Sequence, residues 1–260
     1  MALLTQNSEL RPLGIHNWTI PAFAFRRDNG ETFNACPQAG ACASLCYARN
    51  GTYLFPRVHA AHRRNLERYL ADPAQWRADM LAELQKPRFR ARPDRPHLPD
   101  LPRDHLHPDV AAIMDAGGAV IRIHDAGDFF SAEYLNDWTR IALAAPNVLF
   151  YAYTKEVSMV KAARPLPPNL LICYSFGGKQ DHLIDRDTDQ HSDVFPTREA
   201  LDAAGYVDQE DHDLLCVVAP TTRVGIVANN IPHFRKKQGA ATFSELELAK
   251  SARRRPKRAA

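Results

Sequence analysis

Short apolar runs alternate along the chain with segments of helical periodicity. Apolar residues cluster as in buried strands at 18–25, 119–124, 148–153, 170–174, 214–218 and 224–228. Helical spacing of apolar residues occurs between most of these runs, for example over 56–70. Six apolar strands, mostly separated by helices, predict a parallel sheet in an α/β fold. The strands are apolar on both faces, as a helix-covered parallel sheet requires.

Several helix ends are marked by capping residues. Asp72 followed by Pro73 predicts the start of a helix, and Ser131 and Thr197 predict two more. Gly117 and Gly205 follow apolar helical patterns and predict their C-terminal ends. Further helices are expected near 108–116 and 156–163, and from Ser244 onward.

Length and composition indicate the number of domains and the cellular location. The 260 residues suffice for one full core, and we expect a single domain over 1–250, with a Pro- and Arg-rich insertion at 87–108 and a basic tail at 251–260. No apolar run approaches the length of a membrane span, and the first residues lack a signal-peptide pattern. We therefore expect a cytoplasmic protein without a membrane partner.

Three cysteines lie within eleven residues, between the first predicted strand and the first helix. Cys36, Cys42 and Cys46 predict a metal or cluster loop, because soft thiolates select iron–sulfur clusters, zinc or copper. A structural zinc would need a fourth ligand. Its candidates are His16, His124 and Cys216. The remaining alternative is three unrelated buried cysteines.

Polar residues or glycines follow almost every predicted strand. His124, Asp125 and Asp128 come after the second strand, Tyr153 and Lys155 end or follow the third, and Ser175 and Gly177 follow the fourth. Working residues of parallel α/β proteins lie at the carboxyl ends of strands, which predicts that these residues converge. Simpler roles stay open, since Asp125 and Asp128 could cap the next helix and His124 could belong to the core.

A cysteine loop after the first strand of a six-stranded sheet is similar to the radical S-adenosylmethionine superfamily. The resemblance implies a parallel six-stranded partial (β/α)6 barrel, a [4Fe-4S] cluster on Cys36, Cys42 and Cys46, S-adenosylmethionine on the open iron, and an external electron donor. The gaps between the cysteines are five and three residues here, where the superfamily has three and two. Ala126-Gly127-Asp128 stands where the superfamily has a glycine-glycine-glutamate stretch.

More narrowly, four segments resemble the gene product 88 family of phages and plasmids. They are Cys46-Tyr-Ala48, Ile121 to Ser131, Phe150 to Lys155 and Ser175-Phe-Gly-Gly178, and the resemblance spans about 15–235. Together the two resemblances imply an iron–sulfur enzyme of unknown substrate. They imply cofactor contacts from Gly127, Asp128, Ser175, Gly177 and Asn229, and catalytic roles for His124, Tyr153 and Lys155.

Basic residues near the end of the chain support a second hypothesis. Arg253-Arg-Arg-Pro-Lys-Arg258 closes the chain, and His233-Phe-Arg-Lys-Lys237 lies upstream of it. Such runs suit phosphate contacts. The alternative function is therefore a non-catalytic nucleic-acid-binding module that is stabilised by zinc or an iron–sulfur cluster.

Overall fold

The computed structural model describes residues 2–27, 29–95, 98–210 and 212–254. Seven parallel strands form its main sheet, and two antiparallel strands form a hairpin beside it. In chain order the strands are β1 (His16–Trp18), β2 (Ala24–Arg26), β3 (Thr32–Asn34), β4 (Ala119–Ile123), β5 (Val148–Thr154), β6 (Leu170–Ser175), β7 (His191–Phe195), β8 (Val207–Asp208) and β9 (Arg223–Val227). The order in the main sheet is β1-β4-β5-β6-β7-β9-β8, and β2 pairs with β3.

Helices connect most of the strands of the main sheet. They are α1 (Pro56–Ala71), α2 (Pro73–Leu84), α3 (Pro108–Asp115), α4 (Ala132–Ala144), α5 (Val157–Ala162), α6 (Arg198–Ala203), α7 (Leu215–Val218), α8 (Pro232–Gln238) and α9 (Phe243–Arg254). The predicted caps are confirmed, because the side chains of Asp72, Ser131 and Thr197 each accept a hydrogen bond from the first turn of α2, α4 and α6. Gly117 adopts a φ of 64° after α3, as its capping role requires.

Apolar side chains cover the sheet on both faces. On β5, Phe150 and Ala152 belong to one core cluster, while Leu149 and Tyr151 belong to the other, as the alternation along a strand demands. The first cluster packs aromatic residues of α1, α2 and α4, and Trp76 and Trp138 are among its fully buried members. The predicted α/β fold with a parallel sheet is confirmed.

Three details of the strand prediction are wrong. The apolar run 214–218 forms the short helix α7 and not a strand, and β7 was not predicted because His191, Ser192 and Asp193 make it polar. The first predicted strand, 18–25, divides into the end of β1 and the start of β2. The sheet therefore has seven strands with β1 and β8 at its two ends, and a six-stranded partial barrel is not confirmed.

The Pro-rich insertion is anchored to the fold by backbone acceptors. The guanidinium of Arg95 donates to the carbonyl oxygens of Arg88, Arg90 and Gly117, and Phe89 is buried. His97 lies outside the described residues. So does the predicted basic tail from 255 onward, and α9 reaches Arg254.

Candidate functional site

A cavity of about 390 Å³ opens at the carboxyl ends of the central strands. We call it the strand-end cavity. Its wall contains ten of the eleven residues that the sequence predicts as site residues, namely Cys36, Cys42, Cys46, His124, Gly127, Asp128, Tyr153, Lys155, Ser175 and Asn229. The remaining one, Gly177, lies behind the cysteine loop. The structure thus brings these residues together, and their individual roles stay predictions.

Asp128 is tied to the end of the neighbouring strand. Its carboxylate accepts hydrogen bonds from the N–H of Phe129 (2.8 Å), the hydroxyl of Thr154 (2.6 Å) and the N–H of Lys155 (2.9 Å). Burial raises the pKa of Asp128, and the three donors oppose that rise. The carboxylate therefore joins the loops after β4 and β5, and most of its acceptor capacity is filled by the protein.

Lys155 is a cation of the cavity wall with neutral partners. Its Nζ donates to the carbonyl oxygen (3.1 Å) and the hydroxyl (2.8 Å) of Ser175 at the end of β6. Burial lowers the pKa of Lys155, but Cys42, Asp181 and Asp128 outweigh burial and hold the pKa above its usual value. Over the described ranges its ammonium forms no ion pair. The two hydrogen bonds to Ser175 use two of its three N–H donors, so the third is left for another acceptor.

The carboxylate of Asp125 also lines the cavity and is also held by neutral groups. It accepts hydrogen bonds from the hydroxyl of Tyr53 (2.8 Å) and the amides of Asn7 (3.0 Å) and Asn17 (3.4 Å). The hydroxyl of Tyr47 donates to the backbone carbonyl of the same aspartate. Among the described residues, no cation forms an ion pair with Asp125.

Gly177 positions the cysteine loop from behind. Its carbonyl oxygen accepts hydrogen bonds from the N–H groups of Gly40 and Cys42, both at 3.1 Å. Its own N–H donates to the carboxylate of Asp181, which also receives the N–H of Gly178. With a φ of 93° the position favours glycine. Gly177 therefore holds the cysteine loop through its backbone, and its positive φ accounts for a glycine at this position.

Gly127 is likewise explained by packing. Its φ is 89°, and a Cβ at this position would lie 2.3 Å from Cγ1 of Ile20. No side chain fits there without moving the segment that follows β1.

The three thiols of the loop are half-buried and line the cavity. Burial raises the pKa of all three, most strongly that of Cys36, whose sulfur accepts the N–H of Phe23 at 3.3 Å. Lys155 opposes the rise at Cys42 and Cys46. The surroundings thus favour neutral thiols.

The geometry overturns the predicted iron–sulfur function. In the part of the chain that the structure describes, no group of three or more His, Cys, Asp or Glu side chains is arranged to hold a metal ion. The same finding applies to a zinc with His16, His124 or Cys216 as fourth ligand. The iron–sulfur enzyme and the alternative metal-stabilised nucleic-acid module are therefore both wrong, whereas S-adenosylmethionine as a ligand stays a prediction.

A polar network in the cavity wall was predicted from the sequence only at Tyr153. Nη1 of Arg122 contacts both carboxylate oxygens of Asp213 at 3.1 Å, and the hydroxyl of Tyr151 donates to the same carboxylate. The hydroxyl of Tyr153 donates to Gln209. One signal was available, because Arg122 is a charged residue inside an otherwise apolar strand.

The two last helices cover the cysteine loop. Phe234 and Gln238 of α8 and Phe243 of α9 line the cavity. The Glu247 carboxylate accepts the N–H of Ala41. Lys250 donates to the Gly40 carbonyl and Lys237 to the Ser44 carbonyl, at 2.6 and 3.0 Å. The predicted basic segment 233–237 therefore forms most of α8 and contributes to the site.

His124 ends β4 in an uncommon conformation. Its φ is 65°, and its side chain is 3% exposed. Its Nε2 lies 2.9 Å from the hydroxyl of Tyr134, and its Nδ1 has no hydrogen-bond partner. Burial, with the nearby charge of Arg122, lowers the pKa of His124 to about 3, so its imidazole is neutral.

In the stretches that the structure describes, no helix is both long and apolar enough to cross a lipid bilayer. The cytoplasmic location itself stays a prediction.

Comparison with known proteins connects the chain to phage proteins. The Gene 88 protein of Mycobacterium phage L5 is 31% identical over 132 residues, which are 49% of this chain and 45% of the phage protein. The chain thus spans about half the length of the curated relative that it matches. No solved structure matches. The predicted relationship to radical S-adenosylmethionine enzymes is not shown.

A family profile described as Gene product 88 matches residues 1–257. The match covers nearly the whole chain, beyond the interval 15–235 that the sequence resemblance indicated. This protein therefore belongs to the Gene product 88 family.

Proposed function

We propose that this protein binds a small zwitterionic molecule in the strand-end cavity. The ammonium of Lys155 would receive the carboxylate of the ligand, and the carboxylate of Asp125 would receive its cationic group. One observation carries the proposal: two opposite charges line the same cavity, and each has only neutral hydrogen-bond partners in the described structure.

The other charged residues of the cavity wall are placed differently. Arg122 is paired with Asp213, Glu9 is exposed to solvent, and Asp128 is enclosed by hydrogen-bond donors from its own loop and from the end of β5. A charge that is withdrawn from water without a charged partner is costly, so a complementary charge on a ligand would stabilise it. Lys155 and Asp125 follow adjacent strands, β5 and β4, whose backbones lie about 4.8 Å apart. A single small molecule can therefore reach both.

The rest of the wall suits an organic body between the two charged groups. Neutral thiols behave as small apolar groups, and Leu45, Ile226 and Phe243 line the same space. The volume of about 390 Å³ lies in the range of small-molecule sites. S-adenosylmethionine carries an amino and a carboxyl group and is one member of the proposed ligand class.

The proposal is tested by screening zwitterions against the full chain. The common L-amino acids, S-adenosylmethionine and S-adenosylhomocysteine would be added during thermal unfolding, and those that raise the midpoint would be titrated by calorimetry. At least one should bind, and Lys155→Met and Asp125→Asn should each weaken it by about 10- to 100-fold, the effect of losing a charged hydrogen bond.

Matched controls separate this effect from general damage. Lys179 donates to the carbonyl of Pro37, and Asp187 pairs with Arg223. Neither Lys179 nor Asp187 lines the cavity. Lys179→Met and Asp187→Asn should leave the affinity within about twofold, as expected for surface sites. The proposal fails when no zwitterion binds, or when binding is indifferent to both cavity charges.

A further inference from the structure

His124 carries two unfavourable features at the wall of the strand-end cavity. A φ of 65° is rare for a residue with a side chain, although histidine tolerates it better than most. Its Nδ1 is buried and has no hydrogen-bond partner, which costs about 1–3 kcal/mol for a polar group withdrawn from water. Strain and an unpaired buried group at one residue indicate a role in binding.

The neighbours of His124 determine which ring nitrogen holds the proton. Nε1–H of Trp18 is only a donor, so the hydroxyl of Tyr134 accepts from it at 2.9 Å. The same hydroxyl lies 2.9 Å from Nε2 of His124 and has one proton to donate. If Nε2 also carried a proton, the Tyr134 proton would lack an acceptor in this fully buried position. The favoured arrangement therefore runs from Trp18 through Tyr134 to an unprotonated Nε2.

We infer that this relay holds His124 as the neutral Nδ1–H tautomer, and that its Nδ1–H donates a hydrogen bond to an acceptor group of the cavity ligand. The inference rests on the proposed function, and it adds a residue that selects for an uncharged or anionic acceptor beside the Lys155 anchor.

The surroundings of the ring favour a fixed, neutral donor. Phe129 packs edge-on against the imidazole, with ring centroids 4.9 Å apart, and Tyr134 lies on another side at 5.4 Å. Burial and the charge of Arg122 keep the pKa of His124 at about 3. The ring therefore neither rotates freely nor gains a second proton near neutral pH, and the donor is presented without a charge of its own.

Nitrogen NMR of the full chain tests the relay without any ligand. The chain has 11 histidines, so the His124 signals are identified in protein labelled with 15N-histidine as those missing from the His124→Asn variant. Nδ1 should appear protonated and Nε2 unprotonated at neutral pH. Tyr134→Phe removes the donor to Nε2 and should shift the proton toward Nε2. A proton on Nε2 in the unmodified protein would overturn the relay.

Two amide variants test the donation to the ligand. The side-chain amide of Asn reaches the position of Nδ1 and that of Gln the position of Nε2, so only His124→Asn keeps a donor where Nδ1–H is inferred to meet the ligand. Asn also tolerates positive φ. The zwitterion that binds best should keep its affinity within about threefold in His124→Asn and lose about tenfold in His124→Gln.

Equal affinities of the two variants would overturn the donation, provided that both show cooperative thermal unfolding. Failure of the proposed function gives a different result. In that case no zwitterion binds the unmodified protein, and the ligand half of the inference falls with it. The tautomer spectrum still decides the relay.

Discussion

The backbone N–H of Lys155 donates a 2.9 Å hydrogen bond to the carboxylate of Asp128. This bond joins the loops that follow β5 and β4, and the side chain of the same lysine reaches Ser175 at the end of β6. Three neighbouring strand ends are thus linked through one residue. The position of the Lys155 ammonium is therefore fixed by the sheet.

Replacing Asp128 should weaken this link without changing the size of the side chain. In the unmodified protein three donors reach the carboxylate of Asp128. Asp128→Asn replaces one carboxylate oxygen with an NH2 group, which cannot accept, so at least one of these hydrogen bonds is lost. We expect the free energy of unfolding to fall by about 1–3 kcal/mol in urea titrations. Asp187→Asn changes an exposed carboxylate and should cost less than about 0.5 kcal/mol. Equal effects would contradict the buried network.

The buried carboxyl group of Glu156 should make the free energy of unfolding fall as pH rises. Glu156 is 2% exposed, and burial with the nearby Asp128 charge raises the pKa of its carboxyl group from 4.5 to about 8. Between these values the folded chain keeps a proton that the unfolded chain has released, so the free energy of unfolding decreases with rising pH. Asp181, with a pKa raised to about 6 by burial, adds a decrease of the same sign over a lower range.

Glu156→Gln should therefore flatten the dependence of stability on pH between about 5 and 8. Gln can still accept the hydrogen bond that Gln38 N–H gives to Glu156. The measurement is urea unfolding at a series of pH values in buffers of equal ionic strength. Parallel profiles for the variant and the unmodified protein would contradict the assignment to Glu156.

The five cysteines should differ in their reaction with iodoacetamide. Cys36, Cys42 and Cys46 are half-buried at the cavity, whereas Cys173 and Cys216 are fully buried. Only the thiolate reacts, and burial raises the pKa of Cys36 most among the cavity thiols. Mass spectrometry should find Cys42 and Cys46 modified before Cys36, and the two core cysteines modified only after unfolding. Early modification of Cys36 would contradict this order.

The helix α9 should control access to the cysteine loop. Glu247→Ala leaves the N–H of Ala41 without its acceptor, which should cost about 1–3 kcal/mol and speed the alkylation of Cys42. Leu248→Ala is the matched control, because Leu248 lies on the same helix and is 73% exposed. Unchanged alkylation of Cys42 in Glu247→Ala would show that α9 does not hold the loop.

Local sequence signals predicted most of the fold. Caps such as Asp72 and Ser131 act within a few residues of their own position, so the sequence alone reveals them. The convergence of His124, Asp128 and Lys155 followed from the general rule that parallel strands end at one edge of the sheet. Neither inference needed knowledge of distant contacts.

Features that depend on distant contacts could not be predicted. The polar strand β7 is buried because His191 bonds Tyr206 and the Asp189 carbonyl, while Asp193 receives the N–H of Ser244. The run 214–218 was ambiguous, since short apolar segments suit a strand or a buried helix equally. The spacing of the three cysteines indicated that they bind one metal or cluster together. Spacing does not determine the directions of the thiols, which depend on how the loop is held by distant residues such as Gly177.

Calorimetric titration with three matched probes decides whether the strand-end cavity binds a zwitterion through both charges. They are the zwitterion that binds best in the screen, the corresponding amine without the carboxylate, and the corresponding acid without the amine. We expect each singly charged analogue to bind at least about tenfold more weakly, because each leaves either Lys155 or Asp125 without its partner. An analogue that binds as tightly as the zwitterion, or the absence of any binding zwitterion, would contradict this expectation.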